Sequence, residues 1–196
     1  MSIVLKDKPS RQVPAGVHIA ICYRIVRIGT QPDTGFGERA KIIFFWELPQ
    51  EVFEFDGKIR PMGISRIYTE SLNKKASLRK DIAAWRGRDF TKEELEGFDV
   101  AKVLGRGCQL QISHNDEGRA NIAAIMALPK GSTVSLPFNA MVEYSIDEGR
   151  GAKFEALPEW VRNMCLQCAE WTGRTEPVTE DEQASAAQVD AADMPF

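Results

Sequence analysis

The chain has 196 residues, 43% of them hydrophobic, and a formal net charge of −3. This length supports one domain with a substantial core but not two. Four cysteines spread over such a length do not form a disulfide framework, and neither a signal peptide nor a membrane-spanning stretch is evident. We therefore expect a reduced, cytoplasmic protein.

The first third of the chain predicts three β-strands. Apolar residues alternate with other residues from Val17 to Ile25, a pattern typical of a strand with one face in the core. A loop rich in Gly, Pro and Asp follows, with Phe36 at its tip. The second strand is predicted over Arg39 to Leu48, with apolar residues on both faces. Asp56-Gly57 predicts a hairpin turn into a third strand, which the Pro and Gly at positions 61 and 63 should bend.

Helical spacing begins after the third strand. Apolar residues three and four positions apart predict a helix from the cap Ser77 to Gly87. Thr91 and Glu94 then form the pattern of a capping box, in which each side chain accepts a hydrogen bond from the backbone of the other residue. A second, short helix is therefore expected.

The rest of the folded part predicts further strands and a final helix. Two strands, Cys108 to His114 and Ala120 to Ala127, flank a tight turn. A weaker strand is predicted around Met141 to Ile146, and a helix runs from Pro158 to Gly173. Five strands with a helix between the third and fourth are the layout of an OB-fold barrel. We expect a mainly β protein with a five-stranded OB-fold-like barrel, a helical insert between strands 3 and 4, and a C-terminal helix.

Residues 175–196 differ in composition from the remainder. They carry six acids, no Lys or Arg, and one aromatic residue, Phe196, at the very end. Because they lack apolar periodicity, we expect a disordered tail attached to a folded domain over residues 1–174. Without the six charges of the tail, the net charge of −3 becomes +3. A basic body favours a polyanionic partner.

The signals for catalysis and for metal binding are weak. No phosphate-loop motif is present, and His18 and His114 are isolated from each other and from acidic clusters. Cys165 and Cys168 have metal-ligand spacing, but they lie on an apolar helical stripe without a second Cys or His pair. Core packing is the favoured interpretation of these cysteines. We expect no catalytic residue, no metal site and no cofactor.

Cations and aromatic residues cluster around the third strand and the helix after it. Cations along the phosphates, together with aromatic faces that stack on bases, bind single strands without regard to sequence. We predict a nucleic-acid-binding groove formed by Phe36, Lys41, Phe45, Arg60, Arg66, Tyr68, Lys74, Lys75 and Arg79. The alternative is that Phe45 belongs to the core and that residues 74–80 are simply a solvated helix start.

Two segments resemble a known family. The terminal Asp193-Met194-Pro195-Phe196 resembles the acidic tip, most often Asp-Ile-Pro-Phe, of bacterial single-stranded DNA-binding proteins. Residues 68–95 are similar to phage-encoded OB-fold proteins of the same type. The resemblance implies binding of DNA exposed in replication, recombination and repair, in the cytoplasm of a bacterial host. It also implies that the tip recruits partner enzymes through Phe196 and its carboxylate.

Two other functions stay open on the sequence alone. One is a small nucleic-acid-processing enzyme such as a nuclease, although its acids are not grouped in the sequence. The other is a β-rich structural or scaffold protein of a virion, for which the tail would only aid solubility. The oligomeric state is open as well, because the apolar segment Ser132 to Met141 could support a dimer.

The acidic tail should compete with DNA for the basic body. Deleting Thr175 to Phe196 is therefore expected to tighten binding of a dT oligomer at low salt, with a smaller effect at high salt, where charges are screened. Fluorescence anisotropy measures the change. A full-length control with the six acids replaced by Asn or Gln separates the effect of charge from that of length. Unchanged affinity at low salt would remove this hypothesis.

Overall fold

The computed structural model describes residues 12–32 and 37–173. Strands account for 41% of the structure and helices for 24%, which confirms the prediction of a mainly β protein. Within the described ranges, every helix is too short or too polar to cross a bilayer. Phe36 and the acidic tail with its tip lie outside the described residues.

Six strands, five short α-helices and two 3-10 helices, Val100–Val103 and Ile146–Glu148, make up this part of the chain. The strands are β1 (Gly16–Gln31), β2 (Arg39–Phe55), β3 (Lys58–Thr69), β4 (Gly107–His114), β5 (Ala120–Met126) and β6 (Val142–Ser145). The helices are α1 (Ser77–Arg86), α2 (Lys92–Glu96), α3 (Ala152–Glu155), α4 (Glu159–Leu166) and α5 (Ala169–Thr172).

The strands form one sheet that does not close into a barrel. Its order is β3-β2-β1-β4-β5, all antiparallel, and β6 pairs in parallel with β1 off this path. β1 pairs with β4 through its first half and with β2 through its second half. The two edges, β3 and β5, have no ladder between them in the described residues. The guanidinium of Arg66 spans this opening and donates a hydrogen bond to the carbonyl of Ile122 at 3.2 Å.

β2 is longer than predicted and continues into a projecting hairpin. Leu48 pairs with Met62 and Val52 with Pro61, so the three residues between Leu48 and Val52 have no cross-strand partner. The sequence predicts a bend in β3, at positions 61 and 63. The irregularity lies instead in β2, on the strand opposite these positions. Beyond it, Asp56 and Gly57 both have positive φ, 52° and 68°, as a type I′ turn requires. We call residues 52–61 the arm.

Both faces of the central strands β1 and β2 are buried. On one face, Phe44 and Trp46 of β2 pack against α1, where the ring of Trp85 lies 6.0 Å from that of Trp46. On the other face, Phe45 belongs to a second core with Tyr144 of β6 and the C-terminal helices. The apolar residues predicted on both faces of β2 thus serve two separate cores.

The predicted helices are present with different boundaries. The N-cap of α1 is Ala76 rather than Ser77, whereas Gly87 ends the helix with φ 67° as expected. The capping box of Thr91 and Glu94 forms at the start of α2. The predicted C-terminal helix is instead divided into α4 and α5, because the backbone of Cys168 is extended at ψ 151°.

Cys165 and Cys168 pack in the second core as buried free thiols. Burial raises the pKa of Cys165 to about 12 and also raises the pKa of Cys168, which keeps both sulfurs protonated at neutral pH. Among the described residues, no group of three or more His, Cys, Asp or Glu side chains could hold a metal ion.

Glu47 anchors the irregular segment between β5 and β6 to the sheet. Its carboxylate is 1% exposed and accepts hydrogen bonds from the backbone N–H of Phe138 at 2.6 Å and of Asn139 at 2.9 Å. The side-chain amide of Asn139 donates a third, at 2.7 Å. Hydrogen bonds to a buried carboxylate are stronger than those between neutral groups. One side chain therefore sets the position of residues 138–139.

Replacing Glu47 by Ala should release this segment. Three donors would lose their acceptor, and we expect a loss of about 2–3 kcal/mol in the free energy of unfolding. Urea unfolding measures the loss, and amide hydrogen exchange at Phe138 and Asn139 should accelerate. Glu96→Ala, at an exposed acid of α2, is the control and should change stability by less than about 0.5 kcal/mol. Wild-type exchange in Glu47→Ala would contradict the anchoring role.

Candidate nucleic-acid interface

Three residues of the predicted groove are buried. Tyr68 is 3% exposed, Phe45 6% and Lys41 7%. The ring of Phe45 lies in the second core, 5.8 Å from the ring of Trp160 in α4 and 6.3 Å from that of Tyr23. Neither aromatic ring offers a face on which a base could stack. The alternative interpretation of Phe45 as a core residue is the one that the structure supports.

Tyr68 and Arg66 form a network with Asp81 of α1 instead of facing solvent. The tyrosine hydroxyl donates to Asp81 Oδ2 at 2.8 Å, and Arg66 Nη1 lies 3.1 Å from the same oxygen. The Arg66 guanidinium also lies 5.2 Å from the centre of the Tyr68 ring. Burial, followed by the charge of Asp81, raises the pKa of Tyr68 well above its usual value. These groups join β3, α1 and β5 across the opening of the sheet.

Arg79 is likewise committed within the fold. Its Nε and Nη2 donate to the two carboxylate oxygens of Asp89 at 3.1 and 2.9 Å, and its Nη1 donates to the carbonyl of Leu72 at 3.3 Å. Hydrogen bonding from Arg79, first of all, lowers the pKa of Asp89. A bidentate guanidinium of this kind is held in a fixed geometry. Arg79 therefore connects the loop before α1 to the turn after it.

The remaining predicted cations are exposed but do not form one patch. Arg60 lies on the arm, and Lys74 and Lys75 lie in the loop beyond the far end of β3. At about 3.3 Å per strand residue, Arg60 and Thr69 at that end are roughly 30 Å apart. The continuous groove predicted along β3 is therefore not formed. None of the three makes a salt bridge within the part of the chain that the structure describes.

Three aromatic side chains are exposed in the described part of the chain: Trp160 of α4 at 43%, and Phe55 and Phe138, which lie on and beside the arm. Phe55 is 59% exposed, and the guanidinium of Arg60 lies 5.6 Å from its ring centre. Arg60 also lines a shallow pocket of about 320 Å³ together with Ile59, Leu136 and Phe138. Ile59 is 69% exposed, Leu136 82% and Phe138 62%. We call the set Phe55, Lys58, Ile59, Arg60, Leu136 and Phe138 the arm surface.

Local structure explains how these side chains come to the surface. Phe55 and Lys58 flank the type I′ turn, where the strands extend beyond both cores. Phe138 is held beside the arm by the hydrogen bond from its backbone to Glu47. An apolar residue next to Asp-Gly at a hairpin tip is the signal that could have revealed Phe55. The position of Phe138 depends on a tertiary contact and has no comparable sequence signal.

An exposed patch of this kind has a direct chemical use. Aromatic and aliphatic side chains exposed together are typical of binding surfaces. Cations next to accessible aromatic faces suit a ligand that has both negative charge and flat rings. Arg60 and Lys58 supply positive charge on the arm, which also carries the exposed acids Glu54 and Asp56. Phe55 and Phe138 supply the aromatic faces.

No protein-family model matches this chain, and the same is true of the curated proteins and the solved structures.

A variant of Arg66 tests whether this cation stabilises the fold or contacts DNA. Arg66→Gln should leave Asp81 without its ionic partner and the Ile122 carbonyl without its donor, at a cost of about 1–3 kcal/mol in the free energy of unfolding. The salt dependence of DNA binding should stay unchanged. Urea unfolding and anisotropy titrations measure the two effects, with the exposed Lys75→Gln as the control for stability. Wild-type stability with weaker salt dependence would show that Arg66 contacts phosphate instead.

Proposed function

We propose that the protein binds single-stranded DNA without sequence preference, through the arm surface, and has no catalytic activity. The observation that carries the proposal is the pairing of the half-exposed Phe55 ring with the Arg60 guanidinium at 5.6 Å. Bases stack on exposed rings regardless of sequence, and cations follow the phosphates. The exposed Phe138 supplies a second ring beside the arm, in the pocket that Ile59 and Arg60 also line.

The strand order gives independent support. β1 pairs with both β2 and β4, and α1 lies between β3 and β4 in the chain, as in an OB barrel that stays open between β3 and β5. OB folds are partly open barrels, and oligonucleotides bind around strands 2 and 3 and the neighbouring loops. The arm is the extension of those two strands. We therefore interpret the sheet as an OB-type barrel that stays open. Because the face of its central strands is covered, the proposed ligand contacts lie farther out, on the arm.

The free cations and the tail complete the proposal. Lys74 and Lys75 are exposed at the other end of β3 and are available to phosphates farther along a bound strand. The tip Asp193 to Phe196 recruits replication, recombination and repair proteins, as the resemblance implies for a phage protein in the bacterial cytoplasm. The opposed charges of tail and body fit a tail that becomes free when DNA is bound.

Anisotropy with a dT oligomer and with duplex DNA of the same length tests the proposal. The single strand should bind more tightly. Phe55→Ala and Phe138→Ala should each weaken its binding roughly 5- to 100-fold, since stacking contributes about 1–3 kcal/mol per base. The slope of log K against log salt should stay constant, because no cation is removed.

Leu166→Ala is the control, since it removes an exposed apolar side chain from α4, away from the arm. Equal affinity for single strand and duplex would contradict the proposal. Sedimentation velocity on the same variants tests the other use of an apolar surface, a homodimer. A change of mass without a change of DNA affinity would assign the arm to a protein interface.

A further inference from the structure

A second cationic site lies away from the arm, in the helical insert. A pocket of about 370 Å³ opens between the end of α1, α2 and the residues before β4. Its charged lining consists of four cations and one carboxylate, so it carries three excess positive charges. These residues are Arg86, Arg88, Lys102, Arg106 and Glu94.

The single carboxylate is already saturated. Glu94 lies 2.6 Å from Arg86 Nη2 and 2.9 Å from Arg88 Nη2, and it also accepts the backbone N–H of Thr91 at 3.0 Å. These hydrogen bonds, that of Arg88 first, hold the pKa of Glu94 far below its usual range. Glu94 is thus ionised at any pH at which the protein functions. It cannot neutralise Lys102 or Arg106 in addition.

Beyond Glu94, the cations of the pocket have no acidic partner within residues 12–32 and 37–173. Arg86 is largely buried, with its guanidinium 4.9 Å from the centre of Phe90 and 5.0 Å from that of Phe98, two rings that pack edge to face. Its Nη1 is buried and has no hydrogen-bond partner among the described residues. Lys102 and Arg106 are exposed. Because Arg86 Nη1 is shielded from solvent, an anion would instead contact the exposed side chains of Arg88, Lys102 and Arg106. It would neutralise the positive charge that Glu94 leaves uncompensated.

Backbone carbonyls do not take the place of that anion. Two of the last four carbonyls of α1, on Ala83 and Ala84, already accept hydrogen bonds from the N–H groups of Arg88 and Gly87. The negative end of the helix is thereby capped. The cations are fixed in place by the rings and by Glu94 rather than by these carbonyls.

We propose that this pocket binds a phosphate group of a polynucleotide. A phosphate has more acceptor oxygens than a carboxylate and matches several converging guanidinium and ammonium donors. The assignment of this phosphate to a polynucleotide rests on the function proposed above. The affinity of the pocket for phosphate depends only on the residues that line it.

The neighbourhood of the pocket connects it to the arm surface. Gly107 lines the pocket, and a Cβ atom there would come within 2.6 Å of Val134. Val134 belongs to the same segment that carries Leu136 and Phe138 to the arm. The segment from Val134 to Phe138 thus runs from the pocket to the arm surface.

The test is the double variant Lys102→Gln/Arg106→Gln, because both side chains are exposed and their replacement should not unfold the protein. Lys153→Gln on α3 is the matched control, since its salt bridge to Glu148 is exposed and contributes little. Far-UV circular dichroism confirms that all three proteins are folded. With the dT oligomer, the double variant should lower the slope of log K against log salt by roughly 0.7 for each phosphate that the protein no longer neutralises. The control should keep the wild-type slope.

Inorganic phosphate provides a readout that does not require DNA. At constant ionic strength, replacing chloride by phosphate should raise the Tm of the wild type and of Lys153→Gln by more than that of the double variant, because only an intact pocket binds the anion. Equal phosphate stabilisation and an equal salt slope in all three proteins would overturn the proposal. If phosphate raises the Tm of the wild type but the protein binds single-stranded and duplex DNA equally well, only the proposed function is rejected and the phosphate site stands.

Oligomers with and without a 5′-phosphate identify the source of the phosphate. Equal affinity assigns the pocket to the internal phosphodiesters of the strand. A gain with the 5′-phosphate that disappears in the double variant assigns it to the end of the strand. Either result supports a phosphate site.

Discussion

Burial of both faces of β1 and β2 is the constraint from which the rest of the structure follows. Trp46 and Phe44 face α1, while Phe45 faces the C-terminal helices, so the middle of the sheet has no free surface. Such two-sided burial gives the fold two cores on a single pair of strands. It also means that a ligand has most access to these two strands where they extend beyond the cores. The arm, beyond the irregularity in β2, is where those strands leave both cores.

Acidic side chains decide which cations remain available to a ligand. Asp81 pairs with Arg66, Asp89 with Arg79, and Glu94 with Arg86 and Arg88. Each pair joins elements that are separate in the chain, and most of these groups are partly buried, where removing one partner is more costly than at the surface. Within residues 12–32 and 37–173, the cations that make no salt bridge include those on the arm, those in the loop before α1, and Lys102 and Arg106 in the insert pocket. The chain is acidic overall, at −3, and becomes mildly basic, at +3, only without the six acids of the tail. The insert pocket alone nevertheless carries three excess positive charges.

Much of the fold could be predicted because its signals are local. Alternation, the Asp56-Gly57 turn and the capping box of Thr91 and Glu94 each depend on a few neighbouring residues, and all are present. The candidate site was harder to predict. The sequence around an apolar strand residue such as Phe45 shows the same alternation whether or not a helix covers that face of the sheet. Likewise, nothing in the sequence near Arg66 shows that Asp81 will pair with it. The exposure of Phe138 follows from Glu47, 91 positions away, and such long-range contacts leave no periodic signal.

The central claim is that bases stack on the rings of the arm surface. Photocrosslinking of the full-length protein to a dT oligomer containing 5-iododeoxyuridine, followed by peptide mass spectrometry, tests it directly, because this base attaches to aromatic side chains that contact it. We expect attachment at Phe55 or Phe138. Attachment confined to other aromatic residues, such as Trp160 over the covered face of the sheet, would contradict it, as would the absence of any crosslink to the single strand.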